Sequence, residues 1–322
     1  MRDAIVSFLG DDWTRVMEQM EEALSSDIGL LDSTNKNILR HSGKLLRPML
    51  ALLSARACSG FTTVDSCRFA AAVEILHNAT LLHDDVADCS MERRGMPTLN
   101  ASLGPGAAVL VGDFWLARAL NKVLGSDHCN KVQMLFAKTL GELAEGEMLQ
   151  LEKASSADTD EKDYFRIITC KTASLFECAC VSAAISVDAP NEYIEAIRQY
   201  ALAAGMAFQI KDDILDYVGD EKLGKPVGTD LKERKITLPL LGALHDSSDE
   251  SRIRSIVAGL DSHPSDYESV RQFVIDSGGL DYAVEKLEEQ IARAEKALQV
   301  LPEGQPRDYL VELVRFNSIR KV

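Results

Sequence analysis

Residues 64–88, VDSCRFAAAVEILHNATLLHDDVAD, run for about seven turns of helix with few polar interruptions and finish on three aspartates, Asp84, Asp85 and Asp88. Alanine and leucine dominate, and no alternation of apolar and polar residues suggests a strand. A helix apolar most of the way round has to be enclosed by other helices. The stretch therefore predicts the interior of a large all-helical domain, with acid at one end of its central helix.

The same period continues in both directions. DDWTRVMEQMEEALSS spaces Trp13, Val16, Met20 and Leu24 three to four apart, and RPMLALLSARAC places Pro48 near the first turn of a helix, where proline is tolerated. Downstream, GAAVLVGDFWLARALNKVLG, CNKVQMLFAKTLGELAEGEMLQLEKA, DYFRIITCKTASLFECACVSAAISV and NEYIEAIRQYALAAGMAFQIKDDILDYVGD all have helical length and spacing. The one long irregular stretch is VGDEKLGKPVGTD, residues 218–230. No composition shift marks a boundary and no repeat is visible, so the expectation is one all-α domain over residues 1–322. Residues after about 245 offer no readable chemistry and predict packing helices.

The chain has 322 residues, 46% hydrophobic and 26% charged, with a net charge of −15. That acidity argues against nucleic acid as a partner. It leaves room for a phosphorylated small molecule held through cations. Seven scattered cysteines with no CxxC pair, and no signal peptide, predict a cytoplasmic protein. The CxC of ECAC predicts packing and not zinc ligation. No apolar run reaches the ~18 residues expected of a transmembrane helix. Neither GxxxxGK[ST] nor GxGxxG after a strand is present, which excludes the common nucleotide sites.

The pattern DDxxD occurs twice, as Asp84, Asp85 and Asp88 and again as Asp212, Asp213 and Asp216. The first and last acids of each set share a helix face. Carboxylates converging there raise one another's pKa and repel, a penalty that divalent cations remove. Hard cations bridging carboxylates to phosphate oxygens describe Mg²⁺ at a diphosphate. Near the N-terminus, Asp11 and Asp12 have no third acid and predict a solvated face. Lys44 and Arg47 at the mouth of a helix, with Arg93 and Arg94 after the first acidic set, suggest a second anion site that needs no metal.

Taken together, GKLLRP, EILHNATLLHDDVADCSMERRGMPT, LVGDFWLARAL, GEMLQLE, KTASLF, FQIKDDILDY and GKPVGTDLKERKITLPLL resemble, in order, the trans (E-type) polyprenyl diphosphate synthases. The spacing from Asp88 to Arg93 is similar to that of the longer-chain, octaprenyl-type branch. The resemblance implies a helical bundle of the isoprenoid synthase type with a central apolar cavity, and usually a homodimer. It implies that the six aspartates hold about three Mg²⁺ ions against an allylic diphosphate, with Asp84, Asp88 and Asp212 as direct ligands. Arg93, Lys171, Lys225 and, more weakly, Lys235 would complete that site. Lys44, Arg47, His77 and Arg94 would bind isopentenyl diphosphate, and Thr172 and Gln209 would lie near the allylic carbon. His83 reads as structural, and Arg320 and Lys321 as a solvated tail.

For chain length, Ala79 and Thr80, the fifth and fourth residues before the first motif, are small. A growing product could pass them, and Phe136, 11 residues before Glu147 and ~16 Å along its helix, is the expected floor. The expected reaction joins isopentenyl diphosphate to an allylic primer to give an all-trans product of about C40. A short-chain (farnesyl or geranylgeranyl) synthase is the first alternative. A class I terpene cyclase would normally lack the second DDxxD and the isopentenyl site, and a non-catalytic partner subunit tends to lose one aspartate set.

Overall fold

The computed structural model of the chain describes residues 1–93, 95–219, 228–245 and 247–318. In chain order the helices begin with α1 (Arg2–Leu9), α2 (Asp11–Leu24), α3 (Gly29–Arg40), α4 (Leu46–Ser59) and α5 (Val64–Ala87). A small ribbon, β1 (Glu92–Arg93) and β2 (Met96–Pro97), and α6 (Leu99–Leu103) lead into α7 (Pro105–Leu124) and α8 (Cys129–Ser156). Next come α9 (Glu161–Ile168), a π-helical segment (Thr169–Ala173), α10 (Ser174–Ser186) and α11 (Asn191–Val218). The remainder holds α12 (Thr229–Lys232), α13 (Leu238–Leu244), α14 (Glu250–Ala258), α15 (Tyr267–Asp276), α16 (Gly279–Leu298) and α17 (Gln305–Ser318). The fold is all-α, as the periodicity predicts.

The chain forms two compact units. One comprises Met1–Ala137, Cys178–Ile197 and Leu301–Leu310; the other comprises Lys138–Glu177, Arg198–Val300 and Val311–Val322.

In the first unit, α5 is the core helix. Thr63 caps it: its hydroxyl accepts from the Ser66 N–H while Ser66 Oγ accepts from the Thr63 N–H, so two otherwise orphaned donors are satisfied. Beyond the cap, Phe69, Ala70, Ala71, Ala72, Val73, Ile75 and Leu76 are all fully enclosed, which accounts for the lack of a polar face. The helix stops at Ala87, and the chain turns through Cys89 in a left-handed conformation (φ 51°). This conformation costs a non-glycine residue roughly 1–2 kcal/mol and marks a sharp bend immediately after the acidic set.

One expectation needs correction here. Asp12 does not lie on a solvated face: it is buried, and its Oδ2 accepts from Arg56 Nη2 and Thr62 Oγ1, each at 2.6 Å. The same guanidinium donates to the Phe8 and Leu9 carbonyls, which have no partner within the last turn of α1. Asp12 thus completes a clamp whose cation comes from α4, 44 residues away, beyond the reach of local pattern reading. The two-residue strands form a ribbon that pairs Arg93 with Met96 and Glu92 with Pro97, which leaves the all-α class unchanged.

In the second unit, the continuous helical run Glu161–Ser186, which crosses into the first unit at Cys178, is long and apolar enough by length and composition to cross a membrane, contrary to the sequence expectation. Its most apolar window is 89% buried within the protein, as in a core helix. Cys178 and Cys180 of the ECAC stretch are buried in the core. Past residue 245, α14, α15 and α16 bury Ile253 and Val257, Val270 and Val274, and Ala283, Leu287, Ile291 and Ala294, so these helices pack as expected.

Candidate active site

Each acidic set ends a long helix: Asp84 and Asp85 lie in the last turn of α5 with Asp88 as its C-cap, and Asp212, Asp213 and Asp216 lie in the last two turns of α11. A helix C-terminus carries partial negative charge, so carboxylates there are placed against the dipole. Bound cations relieve both penalties.

The six acids are not equivalent. In the first unit Asp85 is buried, and its Oδ1 accepts from Arg93 Nε at 2.8 Å. The ribbon produces this contact by folding Arg93 back over the end of α5. Asp84 is half-buried and Asp88 exposed. In the second unit Asp213 is buried, with Oδ2 accepting from Tyr164 Oη at 2.6 Å and Oδ1 from Gln209 Nε2 at 2.8 Å. Asp216 accepts from the backbone N–H of Thr229 (3.0 Å) and Asp230 (3.1 Å), anchoring the start of α12. Asp212 is exposed. Asp85 and Asp213 are thus buried and held by side chains of their own units, and Asp216 is tied to the start of α12, while Asp88 and Asp212 are the exposed members of the two sets.

Burial, then the negative charge of Asp230, raises the Asp213 carboxyl well above the usual carboxylate range, against the pull of its two hydrogen bonds. Asp230 is itself pushed up to about 7, by removal from solvent and then by Asp216, while Lys235 pulls it down. Excess negative charge is concentrated here. Among the described residues no three His, Cys, Asp or Glu side chains stand together as a ready cage. Mg²⁺ at phosphates needs no such cage, because it takes one or two carboxylates and fills its octahedron with water and phosphate oxygens. The all-oxygen donor set fits Mg²⁺ and not zinc.

The cationic residues divide between the units. Lys44 is exposed just ahead of α4, in a turn where Gly43 and Leu45 both have positive φ (82° and 52°). Arg47 is half-buried in the first turn of that helix. His77 is half-buried on α5, and His83 packs its ring against Gly112 of α7, with Nε2 3.3 Å from Asp113, as a structural residue would. Lys171 pairs with Glu147, and Lys235 pairs with Glu233. Arg94, Lys225, Arg320 and Lys321 lie outside the described residues.

Lys171 and Thr172 sit in the π-helical segment, where the widened turn departs from regular α geometry. Two glycines allow neighbouring helices to close on it. A Cβ on Gly146 of α8 would stand 2.7 Å from Cys170 Cβ and 2.8 Å from Lys171 Cγ; one on Gly205 of α11 would stand 2.6 Å from Ala173 Cα. That approach lets Thr172 Oγ1 donate to Gln209 Oε1 at 2.8 Å. The structure thus joins two residues that are 37 apart in the chain and that the resemblance assigned to one task. Glu147, Tyr164 and Asp230 have no chemical role in the sequence reading. GEMLQLE and GTDLK carried the two acids as motif members, but a lone tyrosine on an amphipathic helix reads as core.

Residues 29–274 match the family model described as Polyprenyl synthetase. The chain is 42% identical to an all-trans-nonaprenyl-diphosphate synthase (geranyl-diphosphate specific) of Rhodobacter capsulatus, over 97% of this chain and 95% of that one. It is 39% identical to the octaprenyl diphosphate synthase of Escherichia coli (strain K12), over 97% and 96%. A crystal structure of a polyprenyl synthase from Caulobacter crescentus CB15, complexed with calcium and isoprenyl diphosphate, superposes with a TM-score of 0.91 at 34% identity, covering 100% of this chain and 98% of that one. The chain belongs to the polyprenyl synthetase family. It is a prenyltransferase, a polyprenyl diphosphate synthase acting on isopentenyl and allylic diphosphates, in a family that generally depends on Mg²⁺.

Proposed function

We infer that the chain condenses isopentenyl diphosphate head-to-tail with an allylic primer to make an all-trans polyprenyl diphosphate of about C40. The supporting observation is on α5: Ala79, buried, and Thr80, half-buried, are both small about one turn before Asp84, while the Phe69 and Phe136 rings meet at 6.2 Å farther along the helix. An aromatic residue at the Ala79 level would stop a short chain; here the first aromatic pair lies deeper in the apolar interior. The octaprenyl and nonaprenyl names of the relatives support the same range.

In this reading Asp84, Asp88 and Asp212 are the direct ligands of about three Mg²⁺ ions, and Asp85, Asp213 and Asp216 set the surroundings of those ligands. Bound Mg²⁺ would supply charge neutralisation for the departing diphosphate. Arg93, Lys171, Lys225 and Lys235 hold the allylic diphosphate; Lys44, Arg47, His77 and Arg94 hold the isopentenyl one. Thr172 and Gln209 direct oxygen toward the positive carbon, where oriented dipoles act without having to reorganise. An apolar cavity excludes water from the cation. The chain works as one cytoplasmic catalytic domain and as a homodimer, to which exposed Leu110 and Leu124 on α7 offer apolar surface.

The test is incubation with radiolabelled isopentenyl diphosphate and geranyl, farnesyl or geranylgeranyl primers, with Mg²⁺ or with excess EDTA, and sizing of the products. Mg²⁺-dependent products near C40 are expected, and Asp84→Asn should lower turnover by orders of magnitude. A wild type that stops at C15 or C20 would refute the length while leaving the transfer intact.

A further inference from the structure

We propose that Tyr164 is a positioning residue for prenyl transfer: its hydroxyl holds the Asp213 carboxylate, and that carboxylate fixes which face of the Gln209 amide is presented to the reacting carbon. This rests on the assignment of Thr172 and Gln209 to that carbon.

The observations form one chain of contacts. Tyr164, on α9, is 3% exposed and donates its only hydroxyl proton to Asp213 Oδ2 at 2.6 Å. The other oxygen of Asp213, which is 2% exposed, accepts from Gln209 Nε2 at 2.8 Å. The Gln209 Oε1 then points away from Asp213 and accepts from Thr172 Oγ1 at 2.8 Å. A glutamine amide has one donor end and one acceptor end, and rotation by 180° exchanges them. An oxygen directed at a developing carbocation stabilises it; an N–H in its place repels it. The carboxylate decides between these states because it accepts from the donor end of the amide. Asp213 can do so steadily only while its own plane is held. Tyr164 provides that second anchor, from a helix that contributes no other residue to the assigned machinery. A tyrosine serving only as packing would gain nothing from this geometry that phenylalanine lacks.

The experiment compares wild type, Tyr164→Phe, Gln209→Ala and the double variant, all full length. It measures the single-turnover rate of the first condensation, KM for each diphosphate, the Mg²⁺ concentration for half-activation, and Tm. Tyr164→Phe should slow the single turnover by about 10- to 100-fold, the order expected when a catalytic group is misplaced by about 1 Å. Both KM values and the Mg²⁺ requirement should stay within about twofold. In the Gln209→Ala background the same substitution should cost less than about twofold, because its effect passes through the amide. A Tyr164→Phe rate within twofold of wild type overturns the proposal. So do losses that multiply in the double variant, or a Mg²⁺ requirement that rises with the substitution, which would make Asp213 a metal ligand steadied by Tyr164. A wild type without prenyl transfer would reject the underlying function instead.

Discussion

Gly205→Ala adds one carbon where α11 meets the π-helical segment. That carbon would lie 2.6 Å from Ala173 Cα, 2.9 Å from Ala173 Cβ and 3.3 Å from Ala173 N. Ordinary carbon contacts are about 3.5–4.0 Å, so one backbone must move by roughly 1 Å, and neither partner has a rotamer to change. Overpacking of this kind costs about 1–3 kcal/mol, and replacing a helical glycine by alanine returns up to about 1 kcal/mol. Net destabilisation of between zero and about 3 kcal/mol should lower Tm by several degrees at most. Function is more sensitive: Ala173 directly follows Thr172, and a 1 Å displacement of a positioned group can cost about 100-fold in rate. The expected result is a single-turnover rate one to two orders of magnitude down in a protein that still melts cooperatively. Gly141→Ala is the control, since nothing lies within 4 Å of its added carbon on α8, and it should keep full activity with an unchanged or raised Tm. If Gly205→Ala behaved like Gly141→Ala in both assays, close approach at the π-helical segment would not be what positions Thr172.

Product length should respond to α5 and α8: Ala79→Tyr or Thr80→Phe should shorten products to about C15–C20, and Phe136→Ala should lengthen them, as read by chromatography of the radiolabelled mixture. The two phosphate sites should separate kinetically. Arg47→Ala should raise KM for isopentenyl diphosphate, whereas Lys171→Ala should slow consumption of the allylic primer; an unchanged isopentenyl KM in Arg47→Ala would show that site to be wrongly assigned. Thiol chemistry should follow burial. Exposed Cys89 should react with Ellman's reagent at pH 8, while Cys58 and Cys180, whose thiols burial pushes up to about 12 from an ordinary 9.0, should stay unmodified until the protein unfolds. With folded pKa values above unfolded ones, the unfolded chain loses these protons first. Stability to urea should therefore decline as pH rises above 9 and continue to fall toward about 12.

Sequence alone determined the all-α class, because a 3.6-residue period and a nearly apolar α5 admit no other regular structure. It also determined the two acidic sets, because i and i+4 on any helix share a face. The resemblance, carried by seven motifs in order, pointed to a polyprenyl synthase, and the family match bears this out. The resemblance put Asp84, Asp88 and Asp212 first among the six aspartates, but sequence could not say what holds Asp85, Asp213 and Asp216. Only the tertiary structure shows the ribbon that returns Arg93 to Asp85, the Tyr164 hydroxyl on Asp213 and the α12 amides on Asp216. Asp12 shows the same limit. Its partner Arg56 is 44 residues away, so an acid that looks solvated in the first turn of α2 is in fact a buried clamp. The meeting of Thr172 with Gln209 was likewise decided in three dimensions, by Gly146 and Gly205, whose missing side chains are felt only when another helix closes on them. Periodicity and motif spacing are properties of one helix at a time, so they specify which residues lie on a face. Which partner meets that face depends on how separate helices pack.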